Sequence, residues 1–261
     1  MQPSEALRRF SGKTLPLVGV GYAPLATKIS PRWGLSRVQL VICFLEMSLQ
    51  PSQRQKLDET DDTLFYSFPR FVTHVDKGFI QQLGILYQER LQPNTRILDL
   101  MSSWVSHLPE AMSFAHVEGH GMNAEELAQN PRLDHYFVQN LNQNPQLPLP
   151  DQSFDAVLMA VSVQYLQQPE QVFAEIQRIL KPKGVTIVSF SNRMFFQKAI
   201  EAWREGSEAD RLNLVKGYFQ SVPGFSEPEI IARVSQLGPV LQMLGLGMGD
   251  PFYAVIAHRL D

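Results

Sequence analysis

The stretch TRILDLMSSWVSHLP, Thr95 to Pro109, decides the fold. Ile97, Leu98 and Leu100 form a short apolar run with one acid, Asp99, inside it, the pattern of a parallel strand buried on both faces. Ser102 and Ser103 follow, and either can cap a helix by accepting a bond from an unpaired backbone N–H. The spacing therefore predicts a strand over 95–100 running into a helix over 103–112. The N–H groups at such a junction would hold a carboxylate or phosphate, so the chemistry is expected there.

Downstream, the elements alternate. Strands are expected over 114–119 and 136–138, with a helix over 125–129 between them. SFDAVLMAV, 153–161, reads as a buried strand. The helix over 169–180 then buries Val172, Phe173, Ile176, Ile179 and Leu180. Lys181-Pro182-Lys183-Gly184 is a tight turn feeding a strand over 185–190. This alternation predicts an α/β fold with a mostly parallel sheet covered by helices on both faces. Helices are expected over 199–203, 211–219 and 227–237, then a glycine-rich loop over 238–249. A last, antiparallel edge strand over 250–258 closes the sheet.

Upstream, residues 1–36 are broken by Pro16, Gly19, Gly21, Pro24, Pro31 and Gly34 and read as an extended arm. Gly19-Val20-Gly21 lacks the strand-to-helix context of a phosphate loop. A helix is expected over 36–49, ended by Pro51, with Cys43 and Met47 as burial positions. Asp58 to Asp62 reads as a solvated acidic turn without calcium-loop spacing. Phe65 to Phe79 is unusually aromatic and carries Arg70 and His74 four apart. It packs on the domain or walls a pocket. A helix over 79–91 follows. The organisation is a 1–70 extension or cap and a 71–261 α/β domain.

The 261 residues, 44% hydrophobic, are enough for one large domain with a sizeable core. A net charge of -3 offers no basic field for nucleic acid. The single Cys43 permits no intrachain disulfide and fits a reducing compartment. No secretory signal pattern is visible, and the apolar run 38–45 is too short to span a bilayer. The expectation is a soluble, cytoplasmic protein, or one of the plastid stroma if the source is a plant. Oligomeric state is left open.

The series RILDL, HVEGHGMNAEEL, LPLPDQSFDAVLMAVSVQYL and PEQVFAEIQRILKPKGVTIVSF resembles the class I S-adenosylmethionine-dependent methyltransferases, a Rossmann-like family. It is nearest to the type 11 group that includes quinone C-methyltransferases. The aromatic stretch and SNRMFF also look like a plant and cyanobacterial subgroup. The resemblance implies S-adenosylmethionine as cofactor and a small molecule, a hydrophobic one being an option, as methyl acceptor. Carried onto this chain, the first motif falls on Asp99, Leu100, Met101, Ser102 and Ser103, with Met101 and Ser103 where the family has glycine. The ribose-binding segment falls on Gly119, Gly121, Met122 and Asn123, with Gly121 at the usual acid and Asn123 able to bond a hydroxyl. The adenine segment falls on Asn140, Leu141 and Asn142, and the fourth strand's end on Ala160 and Val161.

Methyl transfer asks mostly for positioning, with a base only where the acceptor must lose a proton. His74, His107 and Tyr165 are the candidate catalytic side chains. Each has an ordinary structural role as its alternative. Phe71, Asn192 and Arg193 are the candidate substrate contacts, Arg193 as a clamp for an anionic group or as a surface ion pair. His116 and His120 lack a third ligand in sequence, so no metal is expected. Two other readings stay open: a binding or assembly protein that kept the sheet and lost the cofactor, and an enzyme using another ligand around His74, Asn192 and Arg193.

Overall fold

Strand pairing places the alternating elements in one seven-stranded sheet of order β3-β2-β1-β4-β5-β7-β6. The structure, a computed structural model, describes residues 49–233 and 249–261. The helix expected over 36–49, the 1–36 arm and most of the 238–249 loop lie outside them. In chain order the elements are α1 (Asp62–Phe65), α2 (Lys77–Arg90), β1 (Arg96–Asp99), β2 (His116–Gly121), α3 (Ala124–Ala128), β3 (His135–Val138) and β4 (Phe154–Ala160). Then come α4 (Pro169–Ile179), β5 (Leu180–Phe190), α5 (Glu201–Arg204), α6 (Glu208–Gln220), β6 (Glu229–Arg233) and β7 (Phe252–His258).

Strands β1 to β5 are parallel, while β7 runs antiparallel to both β5 and β6. Side chains alternate across the sheet and build two cores. On one face, Ile97, Val117, Leu158, Ile187 and Ile256 meet Phe79, Leu83, Leu86 and Tyr87 of α2. On the other, Leu98, Val157, Met159, Val188 and Val255 meet Val172, Phe173 and Ile176 of α4 and Val215 and Phe219 of α6. Helix α2 starts where Asp76 accepts the Phe79 N–H, and Ser207 with Asp210 forms a capping box at α6.

Several expectations are corrected. The helix over 103–112 does not form; the segment is irregular. Pro109 lies inside it, His107 sits at φ 52°, and the serines bond elsewhere: Ser102 to Asp99, Ser103 to Glu126. The second strand starts two residues later than read. The helix expected over 227–237 is, in its described part, strand β6. Pairing with β7 at the sheet edge overrides local propensity there. That moves β7 from the edge to the interior, where it is almost wholly buried. The Lys181–Gly184 turn is an excursion inside β5: Phe154 pairs with Leu180 and Ala156 with Val185, with Lys183 at φ 65°. The acidic turn is not all surface, because Asp62 is buried against Lys56 and Lys198.

Residues 49–75 are fastened across the carboxyl edge of the sheet. Arg54 makes two bonds to Glu170, at 2.6 and 2.8 Å. The Glu201 N–H donates to the Gln55 carbonyl, and the Arg70 N–H to Glu126. This segment forms one wall of the cleft.

Candidate functional site

At the carboxyl ends of the parallel strands the chain encloses a cleft of about 340 Å³, the edge where open α/β sheets hold ligands. Its floor comes from the turns after β1, β2, β3 and β4, and its outer wall from Tyr66 to Val75 and Arg193 to Phe195.

The turn after β1 is held by backbone geometry that a glycine would adopt freely. Met101 has φ 58°, at a position where the resembled family has glycine. Its N–H donates to His120 Nδ1 at 3.1 Å, and the next N–H, of Ser102, donates to the His120 carbonyl at 2.6 Å. His120 Nε2 bonds the Gln139 carbonyl at 3.0 Å, so this nitrogen carries the proton and Nδ1 accepts. Burial keeps His120 neutral, with its pKa lowered to about 4. Val161 closes the end of β4 at φ 53°, unusual for a β-branched residue, with its N–H on the Ser189 carbonyl at 2.8 Å. Met101, His107 and Val161, three non-glycine residues at positive φ, thus surround one cleft. Strain of this kind collects at functional sites.

Of the residues expected to bind a cofactor, Asp99, Met101, Ser102, Ser103, Gly121, Met122, Asn123, Asn140, Leu141, Asn142, Ala160 and Val161 line the cleft. Leu100 and Gly119 are buried and lie outside the lining; a Cβ at Gly119 would meet Leu133. The hollow is not plugged. Met101 packs partly into the core, and the Trp104 indole, itself part of the lining, is held to the outer wall by donating to the Val72 carbonyl at 3.1 Å. Asp99 is sealed beneath the turn, hydrogen-bonded by Ser102, and burial pushes its pKa up to about 6.

Asn123 cannot serve a ribose hydroxyl as expected. Its oxygen caps α3, accepting the Glu125 and Glu126 N–H groups at 3.0 Å each, and its nitrogen donates to the Tyr66 and Ser67 carbonyls. The Asn142 side chain is spent likewise on Asp62, Tyr165 and Gln167.

His74, His107 and Tyr165 all line the cleft. Burial lowers the pKa of both histidines and raises that of Tyr165. The Tyr165 hydroxyl accepts the Phe195 N–H at 2.8 Å, which leaves its own proton for a ligand. Arg193 reaches the cleft, but its Nε donates to Asp250 at 2.7 Å, the ion-pair alternative. Phe71 and Asn192 are outside the lining. Phe71 instead packs edge-on against Trp104. Sequence reasoning did not single out Glu126 or Phe195. Arg70, noted only for its spacing from His74, sits 4.5 Å over the Phe65 ring and makes no ion pair among the described residues.

The methyltransferase domain family matches residues 112–188. A curated malonyl-[acyl-carrier protein] O-methyltransferase from Marinomonas sp. is 29% identical over 133 residues, 51% of this chain. The match spans 42% of that protein's length, so the chain covers less than half of it. Among solved structures, a chain in the complex between the Haloferax volcanii Trm112 methyltransferase activator and a methyltransferase is 14% identical. It covers 71% of this chain and 91% of its own, with a TM-score of 0.50. A Haemonchus contortus phosphoethanolamine N-methyltransferase 2, in complex with phosphomonomethylethanolamine and S-adenosylhomocysteine, is 15% identical at a TM-score of 0.47, covering 69% of this chain and 52% of its own. Residues 112–188 are thus similar to the methyltransferase domain family, and the sheet that carries them has the Rossmann-like strand order. Among the described residues, no helix is long and apolar enough to cross a membrane.

The donor set suits S-adenosylmethionine. Met101, Met122, Leu141, Ala160 and Val161 give an apolar bed, and the amides of Met122 and Leu141 have no partner among the described residues. The ribose end departs from the family pattern. A Cβ at Gly121 would lie 2.6 Å from the Ser102 carbonyl, so no acid fits there.

Proposed function

We propose that this chain is an S-adenosylmethionine-dependent methyltransferase acting on a small, apolar-bodied acceptor. The carrying observation is the cleft: twelve residues that the resemblance assigns to cofactor binding converge on one cavity, although they come from four separate turns. When bound, the cofactor supplies an electrophilic methyl group on a sulfonium sulfur. The chain's own part is positioning and the exclusion of water. Met101, Met122, Asn140 and Leu141 would hold the nucleoside and methionyl portions, with Asp99 fixing the turn after β1 from beneath through Ser102. The acceptor would lie against Tyr66, His74, Tyr165 and Phe195, a wall of rings with Tyr165 stacked on Phe195 at 5.9 Å between centroids. Where the acceptor must lose a proton, neutral His74 or His107 can take it. The ion-paired Arg193 leaves Arg70 as the cation that faces an anionic acceptor group.

Calorimetric titration tests this reading. S-adenosylhomocysteine is expected to bind, and Leu141→Arg to abolish the heat. No heat from folded protein at millimolar ligand would favour the second reading, a binding or assembly protein. One observation supports that alternative: the Ser102 carbonyl stands over Gly121, where the family's acid would reach the ribose.

A further inference from the structure

The cleft needs an acceptor for the nucleoside diol, and the end of β2 supplies none. Gly121 has no room for a side chain, His120 is bonded at both nitrogens, and Asn123 is spent on α3 and the Tyr66 turn. Three acids line the cleft. Asp62 is matched by Lys56 and Lys198, and Asp99 is buried under Ser102. The third is Glu126, in the first turn of α3 and only 8% exposed.

Glu126 makes no ion pair among the described residues. Its Oε1 accepts the Arg70 N–H at 2.7 Å and its Oε2 the Ser103 hydroxyl at 2.6 Å. An ionised carboxylate offers about four acceptor sites, so each oxygen keeps a lone pair free. Ser103 belongs to the turn after β1, so Glu126 stands between that turn and the outer wall. A buried carboxylate held only by neutral donors gains from further donors, and two vicinal hydroxyls provide them.

Resting on the methyltransferase reading above, we infer that Glu126 is the carboxylate that receives the ribose hydroxyls. It replaces an acid at Gly121 from five residues further along. The displacement follows from the turn after β1: because Ser102 pairs with His120, its carbonyl fills the space over Gly121, and the nearest free acid is on α3.

The test is a calorimetric cycle with S-adenosylhomocysteine and its 2′,3′-dideoxy counterpart on wild type, Glu126→Gln and Glu126→Ala. Wild type is expected to prefer the hydroxylated ligand by about tenfold or more, as for hydrogen bonds to a charged group. In both variants the two ligands converge in Kd. An equal loss for both ligands would show Glu126 to be only a tether for Arg70 and Ser103, and would overturn the inference. So would a preference that survives in the variants. If the variants fail to fold, wild type decides: equal Kd for the two ligands overturns the assignment by itself. Absence of binding of either ligand by wild type is a separate outcome, which removes the cofactor reading and this inference with it.

Discussion

The Met101 N–H donates to Nδ1 of His120 at 3.1 Å, which ties the turn after β1 to the end of β2 through a side chain rather than through glycines. His120 serves here only as the neutral Nε2–H tautomer, because a protonated Nδ1 would face another donor. Its folded pKa, about 4, lies below the ordinary 6.5, so its stabilisation is complete above pH 6.5 and is lost as pH falls through 4. The loss amounts to about 3 kcal/mol. Wild type is expected to lose Tm between pH 6 and 4, and His120→Gln much less over the same range. Parallel pH profiles in thermal denaturation would refute this role.

Gly121→Ala probes the same turn from the other side. The new Cβ meets a backbone carbonyl, that of Ser102, at 2.6 Å, with Leu127 at 3.2 Å behind it. The carbonyl belongs to backbone anchored by the Ser102 N–H on the His120 carbonyl, at 2.6 Å, and cannot swing away as a flexible side chain would. The variant is expected to lose about 2 kcal/mol in urea unfolding, within the range for overpacked sites. Unchanged stability would mean that the turn is loose.

The cores were legible because burial writes period and composition into the chain: SFDAVLMAV and the apolar face of 169–180 fall where β4 and α4 are found. The turn after β1 was not. Ser102 and Ser103 are common helix caps, and only the folded neighbours Asp99 and Glu126 divert them. Strand β6 was missed because an edge strand with exposed Glu229, Ile230 and Arg233 shows little alternation and is specified by its partner β7. The resemblance located the cleft, but it could not show that Asn123 and Asn142 are spent, since their partners Tyr66, Asp62 and Gln167 are distant in sequence.

Asp99 has the opposite pH sign to His120. Burial raises its pKa to about 6, so folding favours the neutral form and stability from this group is fullest below about pH 4. It is lost as pH rises through 6, by about 3 kcal/mol in all. Asp99→Asn keeps an acceptor for the Ser102 hydroxyl and carries no charge. The variant is therefore expected to match wild type near pH 4 and to exceed it at pH 8. A variant less stable than wild type at pH 8 would mean that the ionised carboxylate is well solvated or paired.

Lys198 is fully buried, and it joins the wall segment to the sheet. Its Nζ donates to the Thr60 carbonyl at 2.8 Å and lies 3.1 Å from Asp58 and 3.4 Å from Asp62, with the Phe65 ring at 5.4 Å. Replacing it with methionine preserves most of the volume but strips Asp62 of one of its two lysines in a buried setting. Breaking such a pair by removing one partner costs about 3 kcal/mol. Because these contacts hold residues 58–65 rather than the sheet, the damage should be local. In Lys198→Met, amide exchange is expected to rise over 57–68 while α2 and β4 keep their protection. Lys198→Met combined with Asp62→Asn should recover part of the loss, since the stranded charge is then removed. Uniform deprotection across the sheet would instead make Lys198 a core residue with no special hold on the cleft wall.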